Sequence, residues 1–283
     1  MSLDASVVGL KVEGREFKYD WKTTVLYALG IGARRSELDF LYEKRGPLVY
    51  PSFAVIPPVD AVQELLERSG GDLGRMVHSW QNIRLLRPLP AAGKVVSTAW
   101  ISGLYDLKRL AELRIRTRSE LDGELAFETE WSLLFLDGGG FGGAPPPKSD
   151  APKIAKDATP TFVHEDATSP EQALLYRLSG DLNPLHADPE FAARAGFPTG
   201  PILHGLCTFG HVARAVVLAA CGGDPTRLSE LSGQFRKPVW PGDTIRTSGY
   251  DLGGGRLALQ VHAGDRSDPV MTSCWAALRP LEE

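Results

Sequence analysis

Hydrophobic and polar positions along the chain follow two periods. Asp20 precedes residues 21–33, where Val25, Leu26 and Leu29 recur on one face; this spacing predicts a capped helix. An apolar stretch at 51–66 follows, interrupted by Pro57 and Pro58. The period then falls to two. Residues 82–86, 94–105, the stretch around Leu113 and 127–136 predict strands. Leu113, Ile115 and Thr117 alternate there with Arg114, Arg116 and Arg118, the signature of a sheet with one buried face.

Composition breaks at 138–156, where glycine, proline and lysine dominate, which is linker chemistry. The pattern then restarts. A helix is predicted at 170–178 and an apolar helix at 203–220, stopped by Gly222 and Gly223. Strands are predicted at 230–237, 244–250, 256–263 and 270–278, with a hairpin at Gly253, Gly254 and Gly255. The expected organisation is therefore a repeat at 1–142, a linker at 143–159 and a second repeat at 160–283.

The halves resemble each other. Leu26-Tyr27-Ala28-Leu29-Gly30 returns as Leu175-Tyr176-Arg177-Leu178-Ser179, a shift of 149. Pro51 lies 150 before Pro201, and Arg87-Pro88-Leu89 lies 150 before Lys237-Pro238-Val239. Three matches at nearly one offset indicate duplication. Each half is then an α+β unit, helices packed on an antiparallel sheet.

Charge and cysteine content narrow the classes. The formal net charge is −4 with signs interspersed, so no basic stripe points to nucleic acid. No apolar run reaches 18 residues, so no membrane span is expected. Cys207, Cys221 and Cys274 are odd in number and widely spaced, and read as reduced thiols rather than disulfides or metal ligands. The first residues lack the order of a signal peptide, and Leu-Glu-Glu at the end is not a peroxisomal address; a cytoplasmic location is expected.

Chemistry concentrates between Leu175 and Gly210. Asp181 and His186 stand five residues apart, with Asn183 and Pro184 between them opposing a regular helix. His204 and Gly205 follow at the start of the apolar helix. A carboxylate, an imidazole and a helix start are the parts for acid–base chemistry beside a polarised carbonyl. The first half has Gly32 where the second has Asp181, and no histidine near it, so one active site per chain is expected, with the first half lending wall and substrate room.

The stretch YRLSGDLNPLH, together with LYALGIGA and FRKPVWPGD, resembles the R-specific 2-enoyl-CoA hydratases, the hydratase 2 or MaoC-like family, including the hydratase part of peroxisomal multifunctional enzymes of type 2. The resemblance spans almost the whole chain. It implies a double hot-dog fold and reversible syn hydration of a trans-2-enoyl-CoA to the 3R-hydroxyacyl-CoA. Asp181 and His186 would grip one water, Asn183 would fix it, and the Gly205 N–H would stabilise enolate charge on the thioester oxygen. Tyr27, Glu43, Arg177, His78, Phe235 and Lys108 match positions linked to the site or to acyl-CoA contact. Alone, Tyr27 reads as core and Glu43 as solvated surface. Ser79 departs from the family's glycine, and Leu107-Lys108 displaces its Lys-Gly pair by one. An acyl-CoA substrate, no cofactor, no metal and a homodimer are expected. A hot-dog thioesterase or a non-catalytic acyl-thioester-binding subunit is the alternative.

Overall fold

A computed structural model of the chain describes residues 3–280. Contacts divide it into two compact units. One comprises Met1–Lys18, Ala54–Arg87 and Lys94–Asp150; the other comprises Tyr19–Phe53, Pro88–Gly93 and Ala151–Glu283.

In the first unit, strands β1 (Lys11–Tyr19), β2 (Met76–Leu85), β3 (Gly93–Leu107), β4 (Leu110–Leu121) and β5 (Glu124–Phe135) lie in the order β1-β3-β4-β5-β2. The pairs β3–β4, β4–β5 and β5–β2 are antiparallel. On β4, Leu113, Ile115 and Thr117 are buried while Arg116 and Arg118 face solvent, which is the alternation expected. A helix, Val59–Arg68, buries Ala61, Val62, Leu65 and Leu66. Its outer face is tied to β1 by the Arg15–Glu64 pair and by Arg68 donating to the Lys11 carbonyl.

The second unit repeats this plan. Strands β6 (Phe162–Ala167), β7 (Leu228–Phe235), β8 (Thr244–Asp251), β9 (Arg256–Ala263) and β10 (Met271–Leu278) lie in the order β6-β8-β9-β10-β7. Each strand occupies the place of its counterpart five numbers earlier, so the duplication read from three short matches extends to the topology. The long helix α6 (Gly205–Ala220) packs on β6, β7 and β8, and Gly222 and Gly223 follow its end with φ of +67° and +86°.

Two short helices, α1 (Trp21–Gly30) and α4 (Gln172–Tyr176), pack together in this unit. Asp20 caps α1 by accepting the Thr23 N–H at 3.1 Å. The helix stops three residues before the expected 33 because Gly32 takes φ +83°. The Gln172 side chain donates to the carbonyls of Leu29 and Gly30, the last two residues of α1. These bonds help tie residues 19–53 to the second half, and the compact units are not the contiguous segments expected from the sequence.

Other differences have local causes. Strand β2 begins six residues before the expected 82–86. A register shift between His78 and Trp80 interrupts it, and its buried positions include Ser79 and Gln81, which carry no apolar signal. Strands β1 and β6 lie at sheet ends, and each buries only two or one of its residues, so no alternation marks them.

A buried ionic cluster fixes α6. Arg214 donates from Nε and Nη2 to the two oxygens of Glu37, at 2.7 and 2.6 Å, and from Nη1 to Asp166 on β6. His211, one turn earlier, meets Asp166 through Nδ1 at 2.5 Å, and Tyr50 donates to Glu37. Burial opposes ionisation of both carboxyls. Even so, Arg214 and Tyr50 hold Glu37, and His211, Arg214 and Arg34 hold Asp166, below their ordinary values of 4.5 and 3.8. Glu37 precedes His186 by 149 residues, as Gly32 precedes Asp181. A Cβ on Gly32 would lie 2.4 Å from His211 Cε1. At the counterpart of the Asp181–His186 pair, the first half therefore contributes a glycine pressed on His211 and a glutamate bound to Arg214.

Two outcomes follow from this packing. Arg214→Met leaves two buried carboxylates without their cation and should destabilise the fold by about 3–5 kcal/mol at pH 7. A cavity of about 420 Å³ opens on the cluster beside Arg34, His164 and Thr244, so solvent screening favours the lower end. Both carboxyls have depressed values, so the stability they contribute is present above pH ~4.5 and is lost as pH falls through the folded values. In the variant the carboxyls protonate at higher pH, so the deficit measured by urea unfolding should narrow from pH 7 to pH 5. A deficit that widens would contradict the assignment. Gly210→Ala should also destabilise, by about 1–3 kcal/mol, although alanine gains about 1 kcal/mol of helix propensity. The new Cβ would lie 2.2 Å from Cγ2 of the fully buried, β-branched Ile31. A raised thermal midpoint for this variant would refute the packing argument.

Candidate active site

Helix α4 runs on into a 3₁₀ turn, Arg177–Ser179, and ends at Gly180, whose φ of +126° suits glycine. The chain then turns back through Asp181. Asn183 caps a second 3₁₀ turn, Pro184–His186, by accepting the Leu185 N–H at 3.0 Å. Asp181 in turn accepts the Asn183 N–H at 3.1 Å. Two nested side-chain turns thus hold the loop, with Pro184 supplying a fixed φ. Asp181 stays exposed while His186 is buried.

His186 donates from Nδ1 to the Ile202 carbonyl at 2.8 Å. That bond selects the tautomer with a bare Nε2, the acceptor form a general base requires. Burial lowers its pKa, against the opposing effects of the Ile202 carbonyl and Asp181, so the ring is neutral at pH 7.

His204 completes the group. Its ring stacks on His186 with centroids 3.8 Å apart, and its Nε2 donates to the Asp181 carbonyl at 3.2 Å. Burial, followed by the neighbouring His186, lowers its pKa to about 4. Its Nδ1 is buried without a partner, an arrangement that costs about 1–3 kcal/mol. One donor atom from each of Asp181, His186 and His204 falls within 4.8 Å of the others. Such a set suits a divalent cation by spacing, and equally one water held between a carboxylate and an imidazole.

His204 is also the N-cap of α6, but its side chain does not cap. The first N–H groups of this 16-residue helix, beginning at Gly205, therefore receive no side-chain cap from His204 and carry the positive end of the helix dipole. A Cβ at Gly205 would meet the Phe235 ring at 3.5 Å, an ordinary contact. Packing alone does not require glycine there. A missing side chain does leave space for a carbonyl to reach the backbone.

The remaining expected site residues divide. Arg177 lies on the 3₁₀ turn before Asp181, with Nε buried and unpartnered. Tyr27 is buried, its ring 6.1 Å from Tyr176, which lies 4.9 Å from His204. Phe235 covers Gly205. Glu43 is exposed and makes no hydrogen bond or ion pair among the described residues; the buried acid of that stretch is Glu37. His78 lies on β2 of the first unit, stacked on Trp131, and Lys108 lies in the β3–β4 turn with φ +68°. The sequence places His204 only at the start of α6 and does not single out Tyr176 as a site residue. The signal for both was present: a histidine at a helix start, and an aromatic one turn before the Asp-His loop.

Residues 17–138 match the MFE-2 hydratase 2 N-terminal domain, and residues 153–272 match the MaoC like domain. The peroxisomal enoyl-CoA hydratase 2 of Arabidopsis thaliana is 38% identical over 92% of this chain and 91% of its own length. The 3-hydroxyacyl-thioester dehydratase Y of Mycobacterium tuberculosis is 38% identical over 92% of both chains. A crystal structure of a MaoC-like dehydratase from Phytophthora capsici superposes with a TM-score of 0.88 at 28% identity, covering 99% of each chain. A Mycobacterium tuberculosis protein described as a double hotdog fold aligns with a TM-score of 0.60 at 12% identity, a likeness of fold alone. With its repeated helix-on-sheet units, its Asp-His loop and these matches along nearly its whole length, the chain belongs to the MaoC-like, hydratase 2 family.

Proposed function

We propose that this protein hydrates trans-2-enoyl-CoA reversibly to the 3R-hydroxyacyl-CoA, with Asp181 and His186 acting on one water. The observation that carries the reading is the bare Nε2 of a neutral, buried His186 beside the exposed carboxylate of Asp181. Nε2 takes one proton from the water as its oxygen bonds to C3. The C2=C3 π electrons pass to the thioester carbonyl, where the Gly205 N–H and the α6 dipole stabilise the enolate. The imidazolium then returns that proton to C2, and the net addition is one water. Asp181 accepts the water's second O–H and stabilises the imidazolium. Asn183 has its side-chain oxygen committed to Leu185, which leaves its NH2 group to donate to the water. The reaction as written is redox-neutral and uses only acid–base groups of the chain.

The first repeat is non-catalytic, because Gly32 and Glu37 stand where the second has Asp181 and His186. A homodimer is part of the reading. Leu174, Leu178 and Leu182 are 50%, 57% and 62% exposed, an apolar run suited to a subunit contact. No helix among the described residues is long and apolar enough to cross a membrane. Three buried, free cysteines support a reducing, cytoplasmic setting.

Asp181→Asn and His186→Ala should each lower kcat by about 10³-fold or more with the fold intact, since each removes a group acting on the same water. Loss of the conjugated enoyl absorbance measures this, and near-wild-type turnover would remove that residue from the mechanism. Hydration in heavy water should place hydroxyl and deuterium on one face, giving the 3R product. Coupling constants and an R-specific dehydrogenase read both. A 3S product would defeat the assignment of specificity, and anti addition would defeat the single-water step.

A further inference from the structure

We propose that His204 is a positioning residue for the hydration: it holds the Asp181 main chain and the His186 ring in register while exchanging no proton itself. The proposal rests on the hydratase reading above. Three observations carry it. His204 touches both members of the pair, donating from Nε2 to the Asp181 carbonyl at 3.2 Å and stacking its ring on His186 at 3.8 Å. It is 1% exposed, while Asp181, where a water and a substrate would meet, is exposed. Tyr176 backs its ring at 4.9 Å, so the imidazole is clamped on two sides.

The geometry separates this role from that of a proton carrier. The single N–H of the neutral ring is committed to a backbone carbonyl, and the remaining nitrogen, Nδ1, is buried without a partner. The neutral ring therefore has no uncommitted proton to give a water held at Asp181. What His204 does supply is distance. Asp181 sits on a loop fixed otherwise by its own side-chain turns, and His186 by one bond to Ile202. His204 links the two, and it begins the helix whose next residue is Gly205. A shift of the ring would separate carboxylate, imidazole and oxyanion donor together, and displacements near 1 Å cost about a hundredfold in rate.

Two variants divide the functions of the ring. His204→Phe keeps an aromatic face on His186 and removes the N–H; His204→Gln keeps a donor and removes the ring. Steady-state hydration of a trans-2-enoyl-CoA is measured for both beside the wild type, with thermal midpoints taken in parallel. His204→Phe should lower kcat by about 10–100-fold with KM changed less than about threefold. Its pH profile should keep both limbs, because no titrating group of the reaction is lost. His204→Gln should recover at least about fivefold of the lost kcat, as its amide can reach the Asp181 carbonyl. Wild-type kcat in both variants would overturn the proposal. A missing pH limb with a loss beyond about a thousandfold would overturn it too, in favour of direct catalysis. Collapse of the thermal midpoint in both variants would show a purely structural residue. If the wild type itself hydrates no enoyl thioester, the hydratase reading fails instead, and the two failures are thereby distinct.

Discussion

The geometry of the site depends on where α6 begins, and that is set by an ionic cluster at its middle. Arg214 is buried with both guanidinium edges occupied, by Glu37 on one side and Asp166 on the other. A buried arginine with carboxylates on both sides tolerates little movement, because each displaced bond leaves a charge in a medium that solvates it poorly. The helix carrying it is therefore pinned about two and a half turns from Gly205. His211, on the same face and bound to the same Asp166, adds a second fixed point. The N-terminal N–H groups of α6 are held in place before any substrate arrives, the condition under which oriented dipoles stabilise developing charge.

Duplication left two equivalent places in the chain, and they evolved opposite electrostatic solutions. At one, Asp181 is exposed and His186 is kept neutral by burial and a carbonyl bond. At the other, Glu37 is buried and held ionised at pH 7 against Arg214, and Gly32 is packed on His211 with no room for a side chain. In the proposed reaction the first arrangement is the reactive one, because His186 keeps a bare Nε2. The second is stabilising because its carboxylates have fixed partners. The same strand order and the same helix pair serve both, and a few residues in one loop decide between them.

The histidines of the site show how burial and hydrogen bonding cooperate. A lone imidazole near neutrality would be divided between its charged and neutral forms. Burial disfavours the charged form in both His186 and His204, and each ring spends one N–H on a backbone carbonyl, of Ile202 and of Asp181. Each is thereby neutral and fixed in one tautomer. For His186 the free nitrogen is the useful one; for His204 the free nitrogen is buried and idle.

Much of this protein was determined by its sequence alone. Amphipathic strands such as β4, the glycine stop after α6 and the Asp-Asn-Pro-His loop are short-range features. Local propensity and periodicity decide them, so they are legible without neighbours. The repeat offset likewise predicted that the first half lacks a second acid–base pair. Tertiary structure decided the rest. Strands β1 and β6 carry little hydrophobic alternation because they lie at sheet ends, and β2 hides its buried face behind Ser79 and Gln81. The attachment of residues 19–53 to the second unit includes Gln172 reaching the end of α1, more than 140 residues away in the chain, and Arg214 reaching Glu37. Glu37, Arg214, Asp166 and His211 are scattered in sequence, and nothing local marks them as a cluster. His204 gained its place beside both Asp181 and His186 only when the start of α6 folded back on the loop. Charges and imidazoles interact through space at a few ångströms, and sequence separation does not report that distance.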